Sequence, residues 1–296
     1  MAKWVQLPSE KLFSQPDQQA FLHDRRRRLC KACRGLDGKA LEFIVSPPDI
    51  ACPRCGARPQ IGPANKIIRV FDRLTIIAGR RWGKSRMGSI AGADEATIPN
   101  TIGWACAPTI PKLHRYVIPA FQQLIPPEMV ADWNTEFKDL RLTNGSLIHF
   151  QTLEDPDQGR GQGLDWLWID EICELTKQHW EVISPSLADK QGVAFFTTSP
   201  RSYDWVYEEL YKPAEDEVQG YWACHAKTRE NPIMSEEYLA RERARMSDAM
   251  YRQEYEADFV TFTGAIYGES LKPHHILRAD DAVKKFIPEW PKIDAW

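Results

Sequence analysis

The sequence predicts an α/β fold with a mostly parallel central sheet, and three stretches predict it. The first is the short apolar run Leu74-Thr75-Ile76-Ile77. It leads into Ala78-Gly79-Arg80-Arg81-Trp82-Gly83-Lys84-Ser85 and then Arg86-Met87-Gly88-Ser89-Ile90-Ala91, which starts a helix. The second is Leu164-Asp165-Trp166-Leu167-Trp168-Ile169, a buried strand that ends in Asp170-Glu171. The third is Gly192-Val193-Ala194-Phe195-Phe196, which ends in Thr197-Thr198-Ser199-Pro200. In a doubly wound sheet ligands sit at the carboxyl ends of strands, where all three stretches turn polar.

Ala78 to Ser85 fits the phosphate-loop pattern: a small residue, four free positions, then Gly-Lys-Ser. Loop amides and a positive helix N-terminus cradle a polyphosphate in such a loop. Lys84 then reaches the outer phosphates and the Ser85 hydroxyl ligates Mg2+; Gly79, Arg81, Trp82 and Gly83 complete the nucleotide-binding loop. Asp170 suits the magnesium shell, and Glu171 suits a water-orienting general base. The competing reading is an acidic N-terminus for a helix from Ile172 onward. Strand order places an extra strand between the phosphate loop and the acids, the RecA-like additional-strand type of phosphate-loop NTPase. Thr197, Thr198 and Ser199 would then reach the γ-phosphate region; a plain Ser/Thr turn before Pro200 is the alternative.

Composition bounds the rest. A chain of 296 residues accommodates roughly two domains. A net charge of −3 gives no global bias toward nucleic acid, so such contact must come from local patches. No apolar signal region opens the chain, and no 18-residue apolar run occurs, which excludes a membrane span and predicts a cytoplasmic protein with reduced thiols. Seven cysteines there point to metal or burial rather than disulfides.

Residues 1–23 read as a polar arm containing Pro8 and Pro16. Arg25-Arg26-Arg27-Arg28 follows, either a phosphate contact to DNA or a salt-bridged, solvated face. Cys30-Lys31-Ala32-Cys33 and Cys52-Pro53-Arg54-Cys55, eighteen residues apart, have the spacing of a four-thiolate Zn2+ site. Leu41 to Val45 supplies a strand between them, so residues 24–62 read as a zinc-ribbon-like segment. In the linker Pro59 to Pro63, Gln60 is a candidate adenine contact, although a solvated loop glutamine is the plainer reading.

The predicted ATPase core spans 63–226. It adds a strand over Thr101 to Pro108 and a helix from Lys112 to Leu124, stopped by Pro126-Pro127. Two alternating runs around Asn144-Gly145, from Leu140 to Phe150, predict an antiparallel edge hairpin in which His149 is an ordinary strand side chain. Cys106, Cys173 and Cys224 read as core thiols. Gly159-Arg160-Gly161-Gln162-Gly163 is a flexible loop carrying one arginine, and Tyr221 to Ala226 is a last core strand. Helices over Ser235–Met246 and Ser247–Asp258, each opened by its serine, form a small helical lid within 227–263.

These motifs together resemble the large terminase subunit of tailed bacteriophages, the DNA-packaging motor ATPase, over roughly residues 70–268. The arginine-bearing phosphate loop, then Arg160-Gly161, Asp170-Glu171 and Thr197-Thr198-Ser199-Pro200, fall in that family's order. Asn231-Pro232 and Gln253-Glu254-Tyr255 before Asp258-Phe259 resemble its lid. The resemblance implies ATP as substrate, Arg80 acting within its own subunit, and Arg160 as a finger reaching a neighbour's nucleotide. It implies that Thr197 to Ser199 couple hydrolysis to movement of double-stranded DNA. It further implies a homo-oligomeric ring on the capsid portal protein, a small terminase subunit as partner, and the host cytoplasm as location. Two departures stand out. Residues 264–296 read as a linker toward an absent C-terminal nuclease domain, because Glu269, Asp280, Asp281 and Asp294 have no sheet to hold them. The chain is therefore expected to hydrolyse ATP without cutting DNA. The cysteine segment is the other departure, being outside the common family pattern.

Two other functions compete. A helicase or remodeller would need a second α/β domain, for which the chain after Thr198 is too short. A non-catalytic zinc-ribbon module that binds nucleic acid is disfavoured by the intact Lys84, Ser85, Asp170 and Glu171.

Overall fold

The computed structural model describes residues 16–35, 39–45, 50–58, 67–159 and 161–260. Helix α1 (Pro16–Asp24) is followed by β1 (Arg27–Arg34), β2 (Ala40–Ile44) and β3 (Ile67–Arg69), an antiparallel sheet in the order β2-β1-β3. Two boundaries differ from expectation. Residues 16–24 are a helix rather than part of an arm, because Phe21 and Leu22 are buried in the main core. The Phe21 ring lies edge-on to Phe195 at 6.1 Å. β3 belongs to the cysteine module, although the predicted core began at residue 63, because Leu29 and Cys30 pair with Ile68 and Ile67.

The main sheet follows. In chain order its elements are β4 (Phe71–Ala78), α2 (Lys84–Ala96), β5 (Ile102–Ala107), α3 (Ile110–Lys112) and α4 (Ile118–Leu124). Then come β6 (Val130–Asn134), β7 (Asp139–Leu142), β8 (Leu147–Thr152), β9 (Trp166–Asp170), α5 (Lys177–Ile183), β10 (Val193–Thr198), α6 (Lys212–Glu215) and β11 (Gly220–Ala226). The eight strands order as β11-β4-β10-β9-β5-β8-β7-β6, parallel from β11 to β8 and antiparallel beyond. β10 lies between the phosphate-loop strand β4 and the acid strand β9, with Thr197 opposite both Ile76 and Asp170. This is the predicted additional strand. β9 and β10 are buried on both faces, which is why they read as unbroken apolar runs. Phe121, Trp166 and Trp168 fill one side of the sheet, and Trp180, Ile169 and Phe196 the other. Each such side chain contributes about 1.5–3 kcal/mol.

The helix predicted over Lys112–Leu124 forms, but α3 and α4 are joined by a π-turn over Leu113–Val117. Pro119 has no amide to donate to residue 115, and the Ile118 amide bonds the Leu113 carbonyl instead. The Asn144-Gly145 hairpin closes over three residues: the Leu142 amide donates to Ser146 O at 2.8 Å and Gly145, at φ 85°, donates back to Leu142 O at 3.0 Å. Asn144 Nδ2 donates to the carbonyls of Ala96 and Thr97, pinning the hairpin to the end of α2. His149 Nδ1 meets Asp139 Oδ1 across the hairpin at 2.6 Å, a structural pairing. Cys106, Cys173 and Cys224 are buried, as expected.

Three arginines of the run turn toward α2 or the local backbone, while Arg27 pairs with Glu42 at the surface. Arg25 is wholly buried and bonds Asp94; Arg26 reaches the same carboxylate at 3.1 Å. Arg69 forms a fork on Glu95 at 2.7 and 3.1 Å. Arg28 donates to the carbonyls of Arg25 and Arg27. These charges fasten the cysteine module to the C-terminal end of α2, where cations also suit the helix dipole.

After β11 the chain makes α7 (Glu236–Arg245) and α8 (Asp248–Glu254). Ser235 and Ser247 cap them, accepting from the amides of Tyr238 and Met250 as predicted. Among the described residues no helix is long and apolar enough to cross a membrane.

Candidate nucleotide site and cysteine cluster

The ends of β4, β9 and β10 and the start of α2 surround a cavity of about 500 Å3. The phosphate loop reaches it through two left-handed residues, Arg81 at φ 63° and Gly83 at φ 106°. Gly83 adopts that conformation without a Cβ penalty and so starts α2 with its first-turn amides open. Lys84 is buried, with Nζ 3.5 Å from Glu171 Oε1. Ser85 Oγ donates to Asp170 Oδ1 at 3.1 Å. Cis oxygens on an octahedral Mg2+ with ligand bonds of about 2.1 Å lie roughly 3 Å apart. The donor pair therefore fits that ion.

Asp170 is pushed up to about 6, first by burial and then by the charge of Glu171. Hydrogen bonds from Thr197 and Ser85, and the charge of Lys84, oppose the rise. Glu171 closes β9 in the left-handed region, at φ 52° and ψ 48°. A non-glycine residue there carries roughly 1–2 kcal/mol of strain. That backbone turn aims its carboxylate back toward Lys84. Its Oε2 lies 3.4 Å from both Thr198 Oγ1 and the Ser199 amide.

Several expected nucleotide contacts have other work. Thr197 is fully buried; it donates to Asp170 Oδ1 at 2.7 Å and accepts from Trp168 Nε1 at 2.9 Å. Thr197 thus holds the Asp170 carboxylate, Thr198 donates to the Ser199 carbonyl at 2.9 Å beside Glu171, and only Ser199 of the three hydroxyl residues lines the cavity. Trp82 is a core residue, 1% exposed, so its indole is not a nucleotide contact; its apolar area is buried beneath the loop. Gly79 serves the lid. Its amide bonds Ala226 O, and a Cβ there would sit 2.3 Å from Thr228 Oγ1 and 2.7 Å from Tyr255 O. Arg80 is exposed on the cavity rim and pairs with Glu254 of α8, which raises its already high pKa. Gln60 and Arg160 lie outside the described residues.

Among the cavity residues not foreseen are Lys112, Glu174 and Arg201. Each is a charged side chain just beyond the carboxyl end of a buried strand, and that placement is the signal that could have found them.

In the cysteine module the Sγ atoms of Cys30, Cys33, Cys52 and Cys55 all lie within 4.8 Å of one another. Cys30 and Cys55 are 3.7 Å apart, Cys33 and Cys52 3.9 Å. A tetrahedral site with Zn–S bonds of about 2.3 Å has S···S edges of about 3.8 Å. Gly56, at φ 68°, allows the tight turn after Cys55. The four thiols therefore fit Zn2+.

The loop, the acid strand and the strand order together fit an α/β NTPase fold. Residues 75–271, well over half of the chain, match the family described as terminase large subunit, T4likevirus-type, N-terminal. The chain belongs to this family of large terminase subunits. It is 30% identical over 138 residues to the large terminase subunit of Escherichia phage T5, covering 45% of this chain and 31% of that protein. It is 22% identical over 233 residues to that of Thermus virus P23-45, covering 66% of this chain and 47% of that protein. It thus spans less than half the length of these curated relatives. The fold is that of the large terminase ATPase domain of Thermus phage P74-26, with a TM-score of 0.54 and 24% identity over 64% of this chain and 89% of that chain. It is also similar to the large terminase of another thermophilic bacteriophage, solved in complex with ADP, with a TM-score of 0.55 and 16% identity over 64% of this chain and 48% of that chain.

Proposed function

We propose that the chain carries the ATP-hydrolysing portion of a motor that moves double-stranded viral DNA into a capsid. Family membership supports this reading, as do relatives described as ATPase domains or solved with ADP and ATP-gamma-S. The observation that carries it is the pairing of Lys84 with Glu171 and of Ser85 with Asp170 across one cavity.

In this reading Lys84 and the first amides of α2 grip the outer phosphates. Ser85 and Asp170 would hold Mg2+, which supplies charge neutralisation on the phosphates when bound. Glu171 orients the attacking water and accepts its proton, with Thr198 and the Ser199 amide fixing the carboxylate. Thr197, between Asp170 and Trp168, is the coupling element. Arg80 acts on the nucleotide of its own subunit once released from Glu254. Arg160 is the finger offered to a neighbour in a homo-oligomeric ring, and Gln60 is an adenine contact. The capsid portal protein and a small terminase subunit are the partners, and the host cytoplasm is the setting. Zn2+ on the four cysteines is structural: its role is to hold β1 to β3 together.

DNA-stimulated ATP hydrolysis by Glu171→Gln tests the reading. Turnover should fall by about 10²- to 10⁴-fold while Mg2+-ADP binding persists. Unchanged turnover would reject the assignment.

A further inference from the structure

Lys112, Glu174 and Arg201 form one cluster on the cavity wall. Lys112 follows β5, Glu174 follows β9 and Arg201 follows β10, and these three strands are neighbours in the sheet. Arg201 NH2 donates to Glu174 Oε1 at 3.0 Å, and Lys112 Nζ meets the other oxygen, Oε2. One carboxylate thus serves two cations and leaves a net positive charge facing the nucleotide cavity.

The pairing is exchangeable. The side chains of Arg201, Lys112 and Glu174 are 54%, 32% and 25% exposed. Ion pairs this wet are worth about 0–1 kcal/mol. A phosphate that brings two negative charges and three acceptor oxygens competes with such a pair, and Arg201 has the planar fork that suits it. The cluster is also joined to the reacting groups. The Glu174 amide donates to Glu171 O at 2.9 Å, so carboxylate and candidate base share one turn. The Cys173 amide donates to Thr198 Oγ1 at 3.3 Å, and Ser199, two residues before Arg201, has its amide on Glu171.

We propose that Arg201, with Lys112 beside it, is a terminal-phosphate contact held on Glu174 until a nucleoside triphosphate displaces that carboxylate. This rests on the nucleotide-site reading above and adds to it the discrimination between ATP and ADP. A diphosphate lacks the group that recruits Arg201, so the latch stays shut. A triphosphate draws Arg201 inward and pulls on the Ser199-Pro200 segment that fixes Glu171.

Titration calorimetry of the full chain with Mg2+-ATP-gamma-S and with Mg2+-ADP tests this, using wild type, Arg201→Ala, Arg201→Lys and Glu174→Gln. Arg201→Ala should lose roughly tenfold or more in ATP-gamma-S affinity with ADP affinity unchanged. Arg201→Lys should recover part of the loss. Glu174→Gln should tighten ATP-gamma-S a few-fold, again with ADP unchanged. Opposite signs from the two halves of one ion pair mark a latch, because a merely structural pair weakens both nucleotides in both variants. A constant ATP-gamma-S to ADP ratio across the three variants overturns the proposal, as does weaker ATP-gamma-S binding by Glu174→Gln. If wild type binds ATP-gamma-S and ADP alike, the latch fails while the nucleotide site stands. If it binds neither, both readings fall.

Discussion

The two ends of α2 carry the two densest charge clusters described above, and they differ in one respect. At the C-terminal end Asp94 and Glu95 are 6% and 1% exposed and meet Arg25, Arg26 and Arg69, all from the cysteine module or its third strand. At the N-terminal end Lys84 and Ser85 face Asp170 and Glu171 across an open cavity, with Arg80, Lys112 and Arg201 on its wall. The helix dipole suits cations at the first end and an anion at the second. The first end already holds both partners, so its charges are structure. The second end has its positive groups paired loosely or exposed, so the anion it suits is a ligand. Charge density alone misleads here: in the most basic run of the chain, Arg25 and Arg28 are buried and Arg26 is engaged by Asp94.

Metal removal should break the comparison most strongly. Structural Zn2+ is worth about 10–16 kcal/mol in small zinc-folded peptides. Here it would tie down only β1 to β3 and, through them, the arginines that reach α2. Cys33→Ser with Cys52→Ser should therefore lose bound zinc, lower the melting temperature and raise hydrogen exchange over residues 27–44. Mg2+-ADP affinity should persist if the two ends act independently. Its loss would show that the arginine end sets the geometry of the phosphate end.

Acid sharpens the same contrast with a smaller effect. Burial alone would raise the pKa of Glu95, but the charges of Arg69, Arg28 and Arg25 and the Arg69 hydrogen bond overcome it and hold it near 2 instead of 4.5. A depressed carboxylate stabilises the fold above its unfolded value and loses that contribution as pH falls. The contribution is roughly 3 kcal/mol, complete above about pH 4.5 and gone near pH 2. Denaturant midpoints measured between those limits should fall steeply for wild type and less so for Glu95→Gln. Equal slopes would mean that Glu95 is not the titrating group.

What was legible in the sequence follows the same division. The phosphate loop, the Asp170-Glu171 strand and the intervening β10 could be read because each is an apolar run that turns polar at one point. The serine caps of α7 and α8 and the Asn144-Gly145 turn could be read because their signals are local. The inward turn of Arg25 could not, since its partner Asp94 lies 69 residues away. The burial of the Trp82 indole could not be read, because its place in a loop motif says nothing of the core beneath it. β6 was missed because it has no apolar alternation, its burial being slight throughout. The cluster of Lys112, Glu174 and Arg201 was missed because sheet order, not sequence, brings its members together.

The smallest predicted effect lies at the junction between structure and site. Thr197 accepts from Trp168 Nε1 and donates to Asp170 Oδ1, so it joins a core indole to a candidate magnesium ligand. Thr197→Val keeps the shape and removes both bonds. It leaves the buried indole N–H without an acceptor, which costs about 1–3 kcal/mol. Asp170 keeps only Ser85 as a hydroxyl donor, and its carboxylate becomes free to rotate away from the Ser85 oxygen. Stability should therefore drop modestly, while the Mg2+ concentration needed for half-maximal ATP hydrolysis should rise. Thr197→Ser restores both bonds and should return both values toward wild type. If Thr197→Val shifts stability but not the Mg2+ requirement, Thr197 belongs with the arginine end of α2, as structure alone.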